Sequence, residues 1–209
     1  MADAHLCLLD ALGIDRAAVM GVSAGTPSAL QMALRHPQRE SALVLVVPIV
    51  HKPGSVPDAA PPVSDDKDAL LMRQFGSDFL FWTALHFARE SLIRHVLATP
   101  PEQVAAASDS VRARVADLAE RILPVSRRAA GLLDDTGLGK RLGPSALEAI
   151  AVPTLVVSAR DDGFGTYPGA EYTASRIPGA RFVGFDRRGH LLVGRDEQVR
   201  GEVLELITR

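Results

Sequence analysis

The sequence has a single cysteine, Cys7, among its 209 residues. A lone cysteine excludes an internal disulfide framework and favours a reducing compartment. Because Cys7 lies in an apolar helical segment, we expect it to be a small core residue rather than a reactive thiol.

The sequence also lacks a long apolar run and a basic leader. No apolar stretch reaches the about 18 residues that a membrane-spanning helix requires. The N-terminus carries Asp3 and His5, with no basic segment before an apolar one. We therefore expect a cytoplasmic protein with no membrane partner.

The sequence also has no large excess of positive or of negative residues. The 23 lysines and arginines stand against 25 aspartates and glutamates, a formal net charge of -2. This balance gives no electrostatic case for a nucleic acid partner. With 47% hydrophobic residues, the chain is long enough to bury a core as one globular unit. We expect neither a metal nor an organic cofactor.

The most informative segment that is present is AAVMGVSAGTPSALQMALRHP, residues 17–37. It predicts a buried strand, a G-x-S-x-G turn and an amphipathic helix in succession. In that context the motif is typical of a nucleophile elbow, a turn so tight that we expect only glycine to fit at Gly21 and Gly25. Ser23 would then be held out of the sheet at a helix N-terminus.

Three more strands are predicted downstream. ALVLVVP, residues 42–48, is continuously apolar, which suits a parallel strand covered on both faces. VPTLVVSARDD, residues 152–162, predicts a buried strand that ends in two acids. ARFVGFDRRGHLLVG, residues 180–194, predicts a last strand followed by a loop with His190.

The order serine, aspartate, histidine is that of the α/β-hydrolase family, whereas chymotrypsin-like and subtilisin-like proteases have other orders. The chain resembles the serine hydrolase branch of the α/β-hydrolase fold family, since the dehalogenase and epoxide hydrolase branches carry aspartate at the nucleophile position. The resemblance covers nearly the whole chain. It implies an α/β fold with a parallel sheet of about four strands flanked by helices, and a helical cap insertion.

The resemblance corresponds to the carboxyl-terminal two-thirds of the family's fold. In this family the elbow strand is the fifth of eight, and only a helix-like segment precedes it here. We therefore expect the N-terminal strands to be lacking, with Met1 as an internal methionine of a longer reading frame as one hypothesis. The elbow strand would become an apolar sheet edge through which a homodimer could form.

The domain boundaries follow from this resemblance. Residues 1–50 and 150–209 are expected to form the hydrolase core, and residues 51–149 the helical cap, which opens with the proline-rich segment HKPGSVPDAAPP. Within the cap, Thr99 to Glu102 fits a capping box. Phe79, Trp82 and Leu85 are expected to form the cap's own core, with a wall of the substrate pocket as the alternative.

The chemistry of the candidates agrees with the resemblance. A serine hydroxyl is a weak nucleophile at neutral pH and needs a base to take its proton. His190 is the only histidine in residues 152–209, and its imidazole can act as that base. The acid is either Asp161 or Asp162, and the family's register favours Asp162 as the residue that orients His190. Asp161 would then be a turn residue or a partner for Arg160.

The oxyanion hole is expected to be incomplete. The N–H of Ala24, at the start of the elbow helix, would supply one donor. The family's second donor comes from a loop after its third strand, and no residue in positions 1–16 can be assigned to that loop.

The sequence thus predicts a serine hydrolase that acts on a small ester or related carbonyl substrate through Ser23, His190 and Asp162 and an acyl-enzyme. Esterase, lactonase, C–C hydrolase and cofactor-free perhydrolase chemistry stay open. The alternative is a non-catalytic remnant or a ligand-binding module that keeps the elbow for reasons of fold.

Overall fold

The fold is built on a parallel sheet. A computed structural model describes residues 1–51 and 76–208. Within these residues the sheet has four strands in the order β1-β2-β3-β4, which are Ala17–Val22, Glu40–Val46, Thr154–Ala159 and Arg181–Phe185. All three neighbouring pairs are parallel, so the carboxyl ends of the strands lie at one edge. The predicted α/β class is confirmed.

Nine α-helices accompany the sheet in the described part of the chain. They are α1 Ala2–Ala11, α2 Thr26–Arg35, α3 Asp78–Phe87, α4 Arg89–His95, α5 Pro101–Ala105, α6 Asp109–Glu120, α7 Ala129–Arg141, α8 Tyr167–Arg176 and α9 Asp196–Ile207. Helices α3 to α7 lie between β2 and β3, where the cap insertion is expected. The proline-rich start of that insertion lies outside the described residues, and the domain boundaries stay predictions.

The two central strands are covered on both faces, which explains their continuous hydrophobicity. Leu43 and Leu45 of β2 pack with helices α2 and α8 on one face of the sheet. Val44 and Val46 belong to the cluster on the other face, where Val199 of α9 packs. Successive side chains of a strand point to opposite faces, so both alternating sets must be apolar here.

The helices between β2 and β3 form a second hydrophobic core in the region where the cap is expected. It includes Phe81, Leu85 and Leu92, and it takes in Val193 from the chain after β4. Of the three residues expected in this core, only Leu85 is buried, because Phe79 is 71% exposed and Trp82 is 45% exposed. The expectation was wrong for these two aromatic residues, which lie on the outer side of α3.

The predicted capping box is also wrong. Pro100, in an extended conformation, is the N-cap of α5, and its side chain makes no capping hydrogen bond. The Thr99 hydroxyl instead donates to the Leu97 carbonyl and accepts the N–H of Leu191. A second proline at the next position starts the helix one residue later than the motif requires.

Strand β1 forms one edge of the sheet, since no described strand lies on its outer side. Met20 and Val22 are about half exposed there, at 51% and 50%. Helix α1 contacts α2 and leaves Cys7 exposed, so the prediction of a core cysteine is wrong. Dimerisation through the β1 edge stays a prediction.

Candidate active site

Three predicted residues meet at the carboxyl edge of the sheet. Ser23 follows β1, Asp162 comes shortly after β3, and His190 lies in the loop after β4. The Ser23 Oγ is 3.0 Å from His190 Nε2, and His190 Nδ1 is 2.8 Å from Asp162 Oδ2. An ionised carboxylate can only accept, so Nδ1–H donates to it and Nε2 is left to accept from the serine hydroxyl in the neutral ring.

The turn at Ser23 is strained, as an elbow requires. Ser23 has φ 49°, in the left-handed region that non-glycine residues rarely occupy. At Gly21 an added Cβ would lie 2.8 Å from both the Ala29 Cβ and the Thr26 Cα, so a side chain there would collide with α2.

The second elbow glycine differs from the expectation. Gly25 has φ -73°, and an added Cβ would meet nothing within 4 Å. The prediction that only glycine fits was therefore wrong at Gly25. The close approach that excludes side chains lies between β1 and α2, on the Gly21 side of the turn.

Asp162 is held by several donors. Its side chain is fully buried. Oδ1 accepts the N–H of Phe164 at 2.8 Å, and Oδ2 accepts the Thr166 hydroxyl as well as the histidine N–H. The Thr166 hydroxyl in turn lies 2.9 Å from that of Ser158. Hydrogen bonds to the ionised form stabilise a buried carboxylate, and here they also fix its orientation.

Asp161 does not contact the imidazole of His190 as Asp162 does, and binds backbone amides of the histidine loop instead. Its Oδ1 accepts the N–H groups of Arg188 and Gly189, each at 2.8 Å, and its Oδ2 accepts the Gln103 amide. Arg160 instead pairs with Asp186 at 3.3 Å, and Asp161 lies in a turn. Of the two alternatives for Asp161, the turn residue is confirmed and the Arg160 partnership is wrong. Asp161 braces the loop that leads to the histidine.

An aromatic ring that sequence reasoning missed lies against His190. The Phe164 ring meets the imidazole edge-on, with centroids 4.8 Å apart and an interplanar angle of 88°. Only 10% of the histidine side chain is exposed, whereas Phe164 is 49% exposed. The available signal was an aromatic residue two positions after the acid.

The sequence matches the family model for the alpha/beta hydrolase fold over residues 1–194. The chain belongs to the alpha/beta hydrolase fold family. A comparison with curated protein sequences finds no match.

Solved structures agree with this hydrolase fold. An alpha/beta hydrolase fold protein from Nakamurella multipartita is 25% identical, with a TM-score of 0.63, and the alignment covers 99% of this chain and 74% of that one. A hydrolase from Pseudomonas aeruginosa PA01 is 24% identical, with a TM-score of 0.70 and coverage of 100% and 71%. The esterase EaEST from Exiguobacterium antarcticum is 18% identical, with a TM-score of 0.66 and coverage of 100% and 73%.

The neighbours also include Est816, an N-acyl homoserine lactone degrading enzyme, and CumD, a meta-cleavage product hydrolase, at 23% and 18% identity. The family supports a hydrolase, and these neighbours share its fold.

In this hydrolase fold the candidate oxyanion donor stands next to the serine. Ala24 is the middle residue of the short turn Ser23–Gly25, which leads directly into α2. Its N–H therefore belongs to the N-terminal end of the elbow helix, where free amides and the helix dipole favour negative charge.

A small cavity lies beside the elbow of this hydrolase fold. It has a volume of about 160 Å³ and is lined by residues that include Pro27, Leu30, Ile49, His51 and Tyr172. The N–H of Ile49 donates to the carbonyl of Ser23 at 3.4 Å, but Ser23, Asp162 and His190 are not among the residues that line this cavity. Most of the lining is apolar, with the imidazole and the phenol at one side.

In residues 1–51 and 76–208 there is no group of three or more histidine, cysteine, aspartate or glutamate side chains that could hold a metal ion. No helix in those ranges is both long and apolar enough to cross a membrane.

Proposed function

We propose that the chain is a serine hydrolase that cleaves a small ester or related carbonyl compound through an acyl-enzyme. The observation that carries the proposal is the unbroken series from Ser23 Oγ to His190 to the buried Asp162. The three residues follow three separate strands. The fold alone does not require that a hydroxyl, an imidazole and a carboxylate be linked in that order by hydrogen bonds.

The proposed reaction begins when Ser23 Oγ attacks the substrate carbonyl and its proton passes to His190 Nε2. The carbonyl oxygen becomes an oxyanion that the Ala24 N–H stabilises. The tetrahedral intermediate collapses, and His190 gives the proton to the leaving group. Asp162 keeps the imidazole in the required tautomer and stabilises its cation.

Water completes the turnover. His190 takes a proton from a water molecule, the resulting hydroxide attacks the acyl carbon, and the Ser23 Oγ leaves with the proton held by the histidine. The products are a carboxylic acid and the leaving group, and the enzyme returns to its starting state.

The size of the acyl group is tested with a panel of p-nitrophenyl esters of increasing chain length. The proposal of a small substrate predicts that short acyl chains react faster than long ones. Lactones and C–C substrates belong in the same panel, because the described residues favour none of these leaving groups.

A fluorophosphonate probe tests the proposal directly. Wild type should be labelled, and Ser23→Ala and His190→Ala should not, because the first removes the nucleophile and the second the base. Ser41→Ala is a matched control, since Ser41 is an exposed serine near the opposite end of the sheet, one residue into β2. Circular dichroism should confirm that each variant is folded.

A well-folded wild type without Ser23-dependent labelling would overturn the proposal and favour the non-catalytic alternative. The proposal also places the enzyme in the cytoplasm, because its one cysteine cannot form an internal disulfide. Fractionation of cells that express the natural gene would test that location.

A further inference from the structure

The cap touches the two loops that carry Asp162 and His190 through a short segment between α4 and α5. This segment, residues 97–100, is here called the cap clamp. We propose that the cap clamp positions His190 relative to Ser23, and that Thr99 is a positioning residue for the reaction. The inference rests on the proposed function and deepens it.

One carbonyl of the cap clamp holds both loops. The Ala98 oxygen accepts the N–H of Gly163 at 2.9 Å and the N–H of His190 at 3.2 Å. Gly163 directly follows the acid in sequence, and His190 is the base itself. A single backbone atom of the cap therefore fixes the spacing between the acid loop and the histidine.

The backbone of the cap clamp is strained where it makes these contacts. Ala98 has φ 46° and is 3% exposed. A non-glycine residue in the left-handed region persists only where its surroundings hold it. An added Cβ on Gly163 would lie 3.1 Å from Ala98 Cα, so the acid loop approaches this residue as closely as glycine permits.

Thr99 makes the contact on the other side of the histidine. It is 1% exposed, its hydroxyl donates to the Leu97 carbonyl at 2.8 Å, and the same oxygen accepts the N–H of Leu191 at 3.1 Å. The residue that follows His190 is thus fixed by a hydrogen bond to Thr99. On the preceding side an added Cβ at Gly189 would lie 2.6 Å from Thr99 Cγ2.

Helix α5 adds a second connection. The Gln103 amide donates to Asp161, whose other oxygen accepts the N–H groups of Arg188 and Gly189. The cap therefore contacts the histidine loop directly through Thr99 and indirectly through Asp161. Both routes end within two residues of the imidazole.

The catalytic consequence follows from distance. The Ser23 Oγ to His190 Nε2 contact of 3.0 Å depends on the placement of the histidine backbone. A misplacement of about 1 Å can lower the rate by about a hundredfold. Loss of the Thr99 hydroxyl should lower kcat by about 10- to 100-fold while KM changes little, because the imidazole acts in the chemical step rather than in substrate binding.

The experiment compares Thr99→Val with Thr99→Ser on an activated ester. Valine keeps the shape but removes the oxygen, so kcat and the fluorophosphonate labelling rate should fall together. Serine keeps the hydroxyl and should recover most of the activity. Thr83→Val is the matched control and should leave kcat unchanged, since the Thr83 hydroxyl donates to the Phe79 carbonyl within α3, away from the histidine loop.

Amide hydrogen exchange supplies a readout that does not depend on activity. The N–H of Leu191 should exchange faster in Thr99→Val than in Thr99→Ser, because its acceptor is gone. If Thr99→Val fails to fold, Thr99→Ala takes its place, because it removes the same oxygen with a smaller side chain, and kcat should again fall relative to Thr99→Ser.

The outcomes separate this inference from the proposed function. A folded wild type with no Ser23-dependent labelling overturns the proposed function and this inference with it. An active wild type whose kcat is unchanged in Thr99→Val, or falls equally in Thr99→Ser, overturns the cap clamp alone.

Discussion

Glu40 offers a test of the fold that is independent of catalysis. It is the first residue of β2, its exposed fraction is 0%, and neither carboxyl oxygen has a hydrogen-bond partner among the described residues. The nearby Arg16 guanidinium donates to the backbone carbonyl of Glu40. Burial therefore raises the pKa of the carboxyl from 4.5 to about 8, because desolvation penalises the charged form.

The sign of the pH dependence follows from these two values. Below pH 4.5 both the folded and the unfolded chain hold the proton. Between pH 4.5 and about 8 the unfolded chain releases it while the folded chain keeps it, so the free energy of unfolding falls as the pH rises. Above about pH 8 both states are ionised and this contribution is constant.

The magnitude is large for a single residue. The rise of the pKa from 4.5 to about 8, at about 1.36 kcal/mol for each pH unit between them, gives a loss of about 5 kcal/mol across the whole window. Between pH 5 and pH 9 the loss is about 4 kcal/mol by the same relation. Stabilities of whole domains are about 5 to 15 kcal/mol, so the effect should be measurable.

Urea unfolding of wild type and Glu40→Gln at pH 5, 7 and 9 measures this contribution. Glutamine keeps the shape without a titrating proton, so the variant should lose about 4 kcal/mol less than wild type between pH 5 and pH 9. Glu120→Gln is the control, because that side chain is 68% exposed, and it should follow the wild type. A difference between wild type and Glu40→Gln that stays within about 1 kcal/mol from pH 5 to 9 would refute the reasoning.

Further predictions concern the elbow, the acid and the sheet edge. Gly21→Ala should lower stability by about 1 to 3 kcal/mol in thermal melts, because the new Cβ would lie 2.8 Å from α2 atoms. Gly25→Ala should melt like wild type, and equal melting of both variants would contradict the crowding argument. Thr166→Val removes a donor to Asp162 and should lower kcat about tenfold, whereas an unchanged kcat would deny the hydroxyl a role. We also expect wild type to sediment as a dimer and Met20→Lys as a monomer, since a lysine blunts an exposed strand edge; a monomeric wild type would rule out edge pairing.

The sequence predicted the elbow well because its signals are local. Residues 17–35 combine an apolar strand, a glycine-flanked serine and an amphipathic helix, and β1 and α2 form there. The same holds for β3 and β4, whose apolar runs are bounded by turn residues. Hydrophobic periodicity and turn-forming residues act over a few positions, so both can be recognised in the sequence alone.

The predictions were wrong where a side chain's environment is set by residues that are distant in sequence. Thr99 fits a capping motif, but its hydroxyl bonds to Leu191 in the histidine loop. Cys7 lies in an apolar segment, but the face of α1 that carries it has no covering layer among the described residues. In each case the residue's partner, or its lack of one, depends on how distant segments pack.

The sequence by itself determined the family, the parallel strands and which residues are candidates for chemistry, because these depend on local patterns and on residue type. Only the tertiary structure decided that Ser23 and His190, 167 residues apart, lie within hydrogen-bond distance. It also separated Asp162 from Asp161, buried Glu40 without a partner, and connected the cap to the histidine loop. These contacts depend on which strand ends and loops lie next to each other in the folded protein, and the order of residues along the chain does not specify which of them do.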